Sequence, residues 1–128
     1  MKISLLSDDL WAQIVPLLPP PRPRRTRYPG RKPLDDRSAL NGILYVLTAD
    51  IHWEALPDEI GCGSGLNCLR RLKTWQQFGV WNKVRTILVS DIPATSTLDW
   101  SRCNNASVTL ITIWRQKRES AKIGSPHG

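Results

Sequence analysis

From Leu66 to Gln77 the chain repeats with a helical period, and this stretch narrows the choice of fold further than any other. Leu66, Leu69, Leu72 and Trp75 fall on one side of such a helix. Asn67, Arg70, Arg71, Thr74 and Gln77 fall on the other, at spacings of three and four. That second side carries guanidinium, amide and hydroxyl groups and no carboxylate. Such groups pair with base edges and phosphates in a DNA major groove, and Lys73 at the edge would meet phosphate. A solvated face on an ordinary amphipathic helix is the plainer reading of the same pattern.

The flanking residues cut the rest into short helices. Ser7, Asp8 and Asp9 read as a helix start. Trp11, Ile14, Val15 and Leu18 then keep to one face until Pro16 and Pro19–Pro21 shorten and close the helix. Asp35 and Asp36 cap a second helix with the stripe Leu40, Ile43, Leu44 and Leu47, in which Gly42 permits close approach by a neighbour. Trp53 and Leu56 read as plugs at one end of the core. Pro57, Asp58 and Glu59 open a short helix that Gly61 stops, and Ser64 caps the Leu66–Gln77 run. Gly61-Cys62-Gly63-Ser64-Gly65 lacks the Lys-Ser/Thr pair of a nucleotide-binding loop, so it reads as a turn. Phe78 and Gly79 end that run, and Val80, Trp81, Val84, Ile87 and Leu88 form the stripe of another helix.

Beyond Ile92-Pro93 the texture changes. Ser107–Trp114 is β-branched and weakly alternating, which predicts a strand with no sheet to join. Arg115–Gly128 is polar and basic, which predicts poor order. The expected architecture is all-α: a small helical bundle with a helix-turn-helix unit over residues 1–90, then a linker and poorly ordered tail over 91–128 bearing that orphan strand.

Charge points to the partner. Eighteen Lys and Arg against 11 Asp and Glu give a formal charge of +7, which favours an anionic surface, either nucleic acid or acidic membrane. No stretch approaches the roughly 20 apolar residues of a membrane span, and Met1–Leu6 does not read as a signal peptide. The setting expected is therefore cytoplasmic and nucleoid-associated. Within the Pro-rich arm, residues 20–34, Arg22, Arg24, Arg25, Arg27, Arg31 and Lys32 stand with no acid between Pro21 and Pro33. Pro29-Gly30-Arg31-Lys32-Pro33 looks like a short minor-groove hook. A solvated linker and a proline-motif ligand are the other readings of that arm. Cys62, Cys68 and Cys103 are odd in number without paired metal spacing. Cys62 and Cys68 with His52 make a poor zinc set, so core thiols, no metal and no cofactor are expected.

Several words then come in a telling order. Leu6-Ser7-Asp8-Asp9-Leu10-Trp11, Leu17-Leu18-Pro19-Pro20, Leu40-Asn41-Gly42-Ile43-Leu44-Tyr45-Val46-Leu47 and Trp53-Glu54-Ala55-Leu56-Pro57 are followed by Gly61-Cys62-Gly63-Ser64-Gly65. Arg70-Arg71-Leu72-Lys73-Thr74-Trp75-Gln76, Gly79-Val80-Trp81 and Leu98-Asp99-Trp100-Ser101-Arg102 complete the series. From Leu6 to Arg102 the chain resembles the N-terminal region of bacterial insertion-sequence transposases of the fifth family, which carry an acidic-triad (DDE-type) catalytic domain.

The resemblance implies a helical domain that binds double-stranded DNA at the element's terminal inverted repeats. It also implies a following ribonuclease-H-like domain, whose three carboxylates hold two divalent metals, magnesium in a complete transposase, for cutting and joining DNA. The first of those acids should follow the segment matching Asp99–Arg102, where this chain has Cys103-Asn104-Asn105-Ala106-Ser107. The catalytic assignment therefore fails here, no catalytic residue is named, and the chain is expected to be inert alone. Its tail fits the family poorly, as in a first reading frame or a frame-changed copy. The other readings are a truncated regulator that binds the same ends, alone or with itself or a full-length transposase, and a decayed fragment without a role. An active nuclease would need clustered carboxylates, and Asp8/Asp9, Asp35/Asp36 and Asp58/Glu59 are explained by capping.

Overall fold

The computed structural model describes residues 6–19, 35–57, 61–104 and 106–123, with side chains through residue 118. Among them are five α-helices: α1 (Asp8–Ile14), α2 (Asp36–Ala49), α3 (Gly65–Gln77), α4 (Trp81–Asp91) and α5 (Ala106–Ile123). Short 3₁₀ turns fill Val15–Leu17, Trp53–Ala55, Pro93–Thr97 and Trp100–Cys103. The architecture is all-α, with α3 at the centre touching α2, α4, α5 and the Trp53–Ala55 turn.

Local chemistry sets the helix starts. Ser7 Oγ accepts from Leu10 N at 3.1 Å, Asp35 Oδ2 from Ser38 N at 3.2 Å, and Ser64 Oγ from Asn67 N at 3.1 Å. Each satisfies one donor that the first helical turn leaves unpaired. Burial opposes the charge on Asp35, yet its bonds to Ser38 and the nearby Arg71 outweigh this and hold its pKa below the usual value. At the far end of α3, Gly79 takes a φ of +74°, and Val80 N returns to the Trp75 carbonyl at 3.1 Å. A left-handed residue just past the last turn costs glycine little.

The core forms where the apolar stripes meet. Leu40, Ile43, Leu44 and Leu47 of α2 are buried against Leu69, Leu72 and Trp75 of α3 in one cluster. Within α3 Cys68 is fully buried together with Leu69 and Leu72, whereas Leu66, expected on the same stripe, is only half-buried. Trp75 stacks on Trp81 with ring centroids 6.3 Å apart, and Trp81 meets Trp100 at 6.1 Å. These three rings tie α3, α4 and the Trp100–Cys103 turn together.

Two glycines allow the helices to approach so closely. A Cβ on Gly42 would lie 2.5 Å from Cys68 Sγ and 3.1 Å from Cys62 Cβ. One on Gly65 would lie 1.5 Å from the Trp53 carbonyl oxygen. Cys68 also donates its thiol to the Cys62 carbonyl at 3.3 Å. The thiols are thus packing groups, and among the described residues no three His, Cys, Asp or Glu side chains gather as a metal cluster. Burial pushes the thiols of Cys68 and Cys103 up to about 12.

The strand expected over Ser107–Trp114 is overturned: these residues belong to α5, and the helix continues through the expected poorly ordered tail to Ile123. The reason is tertiary. Ala106 is fully buried and Leu110 and Ile113 pack on the core, a four-then-three spacing that β-branching obscured. A lone strand would leave its backbone groups unpaired, whereas a helix satisfies them internally. Gln76 of α3 seats the start of α5, donating from Nε2 to the Cys103 carbonyl and accepting from Ala106 N at 3.3 Å.

Residues 92–104 also join the core. Trp100 Nε1 donates to the Thr95 carbonyl at 2.9 Å, and Asp99 accepts from Ser101 N at 3.2 Å. Arg102 donates to the carbonyls of Ile51 at 2.5 Å and Val46 at 3.4 Å, closing the end of α2 where Asp50 adopts a φ of 53°.

Alanine normally stabilises a helix over glycine by about 1 kcal/mol. Here Gly42→Ala should instead destabilise by about 1–3 kcal/mol in urea unfolding, and Gly65→Ala by more, because a backbone carbonyl cannot move aside as a thiol can. Iodoacetamide at pH 8 should leave Cys68 and Cys103 unmodified in the folded chain and alkylate both in urea. Since burial raises their folded pKa above the ordinary thiol value, the native state holds protons that the unfolded state loses. Their contribution to stability should be full below about pH 9 and lost as pH rises toward 12.

Candidate nucleic-acid interface

Burial of Leu69, Leu72 and Trp75 fixes which side of α3 faces outward. Asn67, Arg70 and Gln77 are exposed there, with Lys73 and Thr74 half-buried beside them. Arg70 Nη1 donates to Asn67 Oδ1 at 3.1 Å, so guanidinium and amide lie together one turn apart. Thr74 Oγ1 donates to the Arg70 carbonyl at 3.2 Å, which uses its proton and leaves its lone pairs.

Arg71 is placed differently from its neighbour. Its guanidinium pairs with Asp36 at the start of α2, and both side chains keep only about a quarter of their surface, 24% and 26%. The structure thus brings together Asn67, Arg70, Lys73 and Thr74, and sets Arg71 between two helices. The arm residues Arg22, Arg24, Arg25, Arg27, Arg31 and Lys32 lie outside the described residues, as do 58–60 of the short helix expected after Pro57.

α5 runs beside this face, where the residue pattern alone predicts a strand. Between the helices lies a half-open groove of about 450 Å³. Leu66, Arg70, Lys73, Thr74 and Gln77 form one wall, and Leu110, Ile111, Ile113, Trp114 and Lys117 the other. None of those residues is acidic. Lys117 meets Glu54 at 3.3 Å, and the Arg118 guanidinium sits 4.7 Å from the centre of the Trp114 ring. The recurrence of Ala106, Leu110, Ile113 and Lys117 was the available signal for this wall.

Comparison with known proteins follows the same lines. Residues 6–85 match the family described as "Putative transposase of IS4/5 family (DUF4096)". Over 102 residues the chain is 49% identical to the insertion element IS402 uncharacterized 16.2 kDa protein of Burkholderia cepacia, covering 80% of this chain and 69% of that protein. No solved structure matches.

Arg70 and Arg71 should separate in stability measurements. Arg71→Ala should lower the unfolding free energy by about 1–3 kcal/mol, since it strands Asp36 without its partner. Arg70→Ala should stay within about 0.5 kcal/mol, as expected of an exposed position. Equal effects in urea titration would mean that Asp36 does not clamp Arg71.

Proposed function

The chain belongs to the transposases of the IS4/5 family, and from that premise we propose that it is the DNA-binding part of an insertion-element transposase, recognising terminal inverted repeats. The observation that carries this reading is the exposed Asn67–Arg70 pair on a helix whose outward side holds no carboxylate. On this reading α2 and α3 act as a helix-turn-helix pair, with α3 in the major groove. Arg70 pairs with guanine and Asn67 with adenine, each worth about 1–3 kcal/mol of discrimination. Thr74 offers its lone pairs to a base amine, and Lys73 meets phosphate. Arg71, clamped by Asp36, steadies α3. The arm from Arg22 to Lys32 adds phosphate or minor-groove contacts.

The same reading makes the chain a binder that does not cut. Strand transfer in such enzymes needs carboxylates free to hold metal. Here Asp35 caps α2, Asp36 clamps Arg71, and Asp8 pairs with Arg37 at 2.8 Å.

Selection from a pool of random duplexes at near-physiological salt tests the proposal. The folded chain should enrich a defined sequence, and Arg70→Ala or Asn67→Ala should each cut the specific-to-random ratio by about 5- to 150-fold. With about six phosphate contacts, affinity should drop about 10³-fold between 50 and 200 mM salt. A folded chain that enriches no sequence overturns the reading.

A further inference from the structure

The groove between α3 and α5 has features that duplex reading does not use. Trp114 stands on its wall with 57% of its surface exposed, flanked by Ile111 at 51%. An indole exposed on a groove wall next to a second exposed apolar side chain offers a flat surface that another ring can cover. Arg118 lies over one face of the Trp114 ring, and Trp114 also lines the groove. Opposite stand Arg70 and Lys73, neither paired with an acid among the described residues, whereas the charge of Lys117 is shared with Glu54.

A flat aromatic ring opposite two available cations is the arrangement that holds a nucleotide: the ring stacks a base and the cations take its phosphates. Duplex DNA does not offer that ligand, because its base faces are already stacked on one another. The groove volume, about 450 Å³, falls in the range that encloses a small molecule. We propose that the α3–α5 groove binds single-stranded DNA, stacking an unpaired base on Trp114 and holding the flanking phosphates with Arg70 and Lys73. This site goes beyond the major-groove reading: it shares Arg70 and Lys73 with that reading and adds Trp114, which has no part in it, so Trp114 variants tell the two apart. The cations disfavour a second copy of the same basic helix as the occupant, and an acidic peptide chain is the competing one.

Fluorescence anisotropy with labelled (dT)₁₂ on the full chain tests the assignment. Three competitors complete the test: the same length of abasic backbone, a duplex, and a twelve-residue oligoglutamate. Trp114→Ala should weaken (dT)₁₂ binding by about 5- to 100-fold, and Trp114→Phe should recover most of it. Abasic backbone should bind the native chain as weakly as (dT)₁₂ binds Trp114→Ala. Lys73→Ala should weaken both single strands alike. Duplex binding should be unchanged in Trp114→Ala, so a failed duplex selection and a failed stacking site are told apart. Unaltered (dT)₁₂ affinity in Trp114→Ala, with circular dichroism matching the native chain, overturns the proposal. So does abasic backbone binding as well as (dT)₁₂, or oligoglutamate displacing it at equal concentration.

Discussion

The approach of α2 to α3 at Gly42 decides how the rest is arranged. With no Cβ there, the Cys68 sulfur fills the space, and Cys62 and Leu56 close around it. Gly65 plays the complementary part at the start of α3, where its bare α-carbon rests against the Trp53 carbonyl. Two contacts that exclude any side chain fix both the position of α3 along α2 and its rotation about its own axis. The rotation is what matters for function. A turn of one residue would bring Arg70 toward the core and carry Leu69 into water, and the cost of burying an unpaired guanidinium forbids it.

Held in that rotation, α3 is fastened on three sides. Trp75 is stacked against Trp81, Arg71 is clamped to Asp36, and Gln76 bridges to the Cys103 carbonyl and Ala106 amide. Only the sector of Asn67, Arg70 and Gln77 stays exposed. The word Asp99-Trp100-Ser101-Arg102 joins in from a distance: Trp100 extends the row of aromatic rings, and Arg102 takes carbonyls at the end of α2. Residues that read as a tether in sequence are therefore a clasp in the fold.

Much of this was legible because it is local. Ser7, Asp35 and Ser64 are small oxygen-bearing residues just before an apolar repeat, and the backbone donors of a first turn have few other ways to be satisfied. Gly42 could be read as a place of close approach because a glycine inside a strong helix needs a reason. What escaped was decided between segments far apart. The β-branched run of α5 favours a strand in isolation, and only the surface of α3 makes a helix the better outcome. The clamp of Arg71 by Asp36 joins residues 35 positions apart, and nothing in the spacing of Arg70 and Arg71 says that one faces out and the other is held. Of the expected interface, four side chains on α3 share one face, and the arm lies outside the described residues.

The placement of α5 then bears on how the basic face can be used. A major groove about 12 Å wide admits one helix and little beside it. With α5 alongside, α3 would have to enter by its outward side, where Asn67 and Arg70 stand exposed near the Ser64 cap, while Lys73 is half-buried toward α5. That geometry matches the usual economy of recognition helices, whose N-terminal residues meet base edges while later ones stay near the protein. It also gives two neighbouring sides of one helix different tasks. The outward face presents Asn67 and Arg70 to paired bases, and the side from which Arg70 and Lys73 look across the groove to Trp114 suits bases that have lost their partners. Both follow from a single constraint, the rotation of α3 set by the bare α-carbons of Gly42 and Gly65.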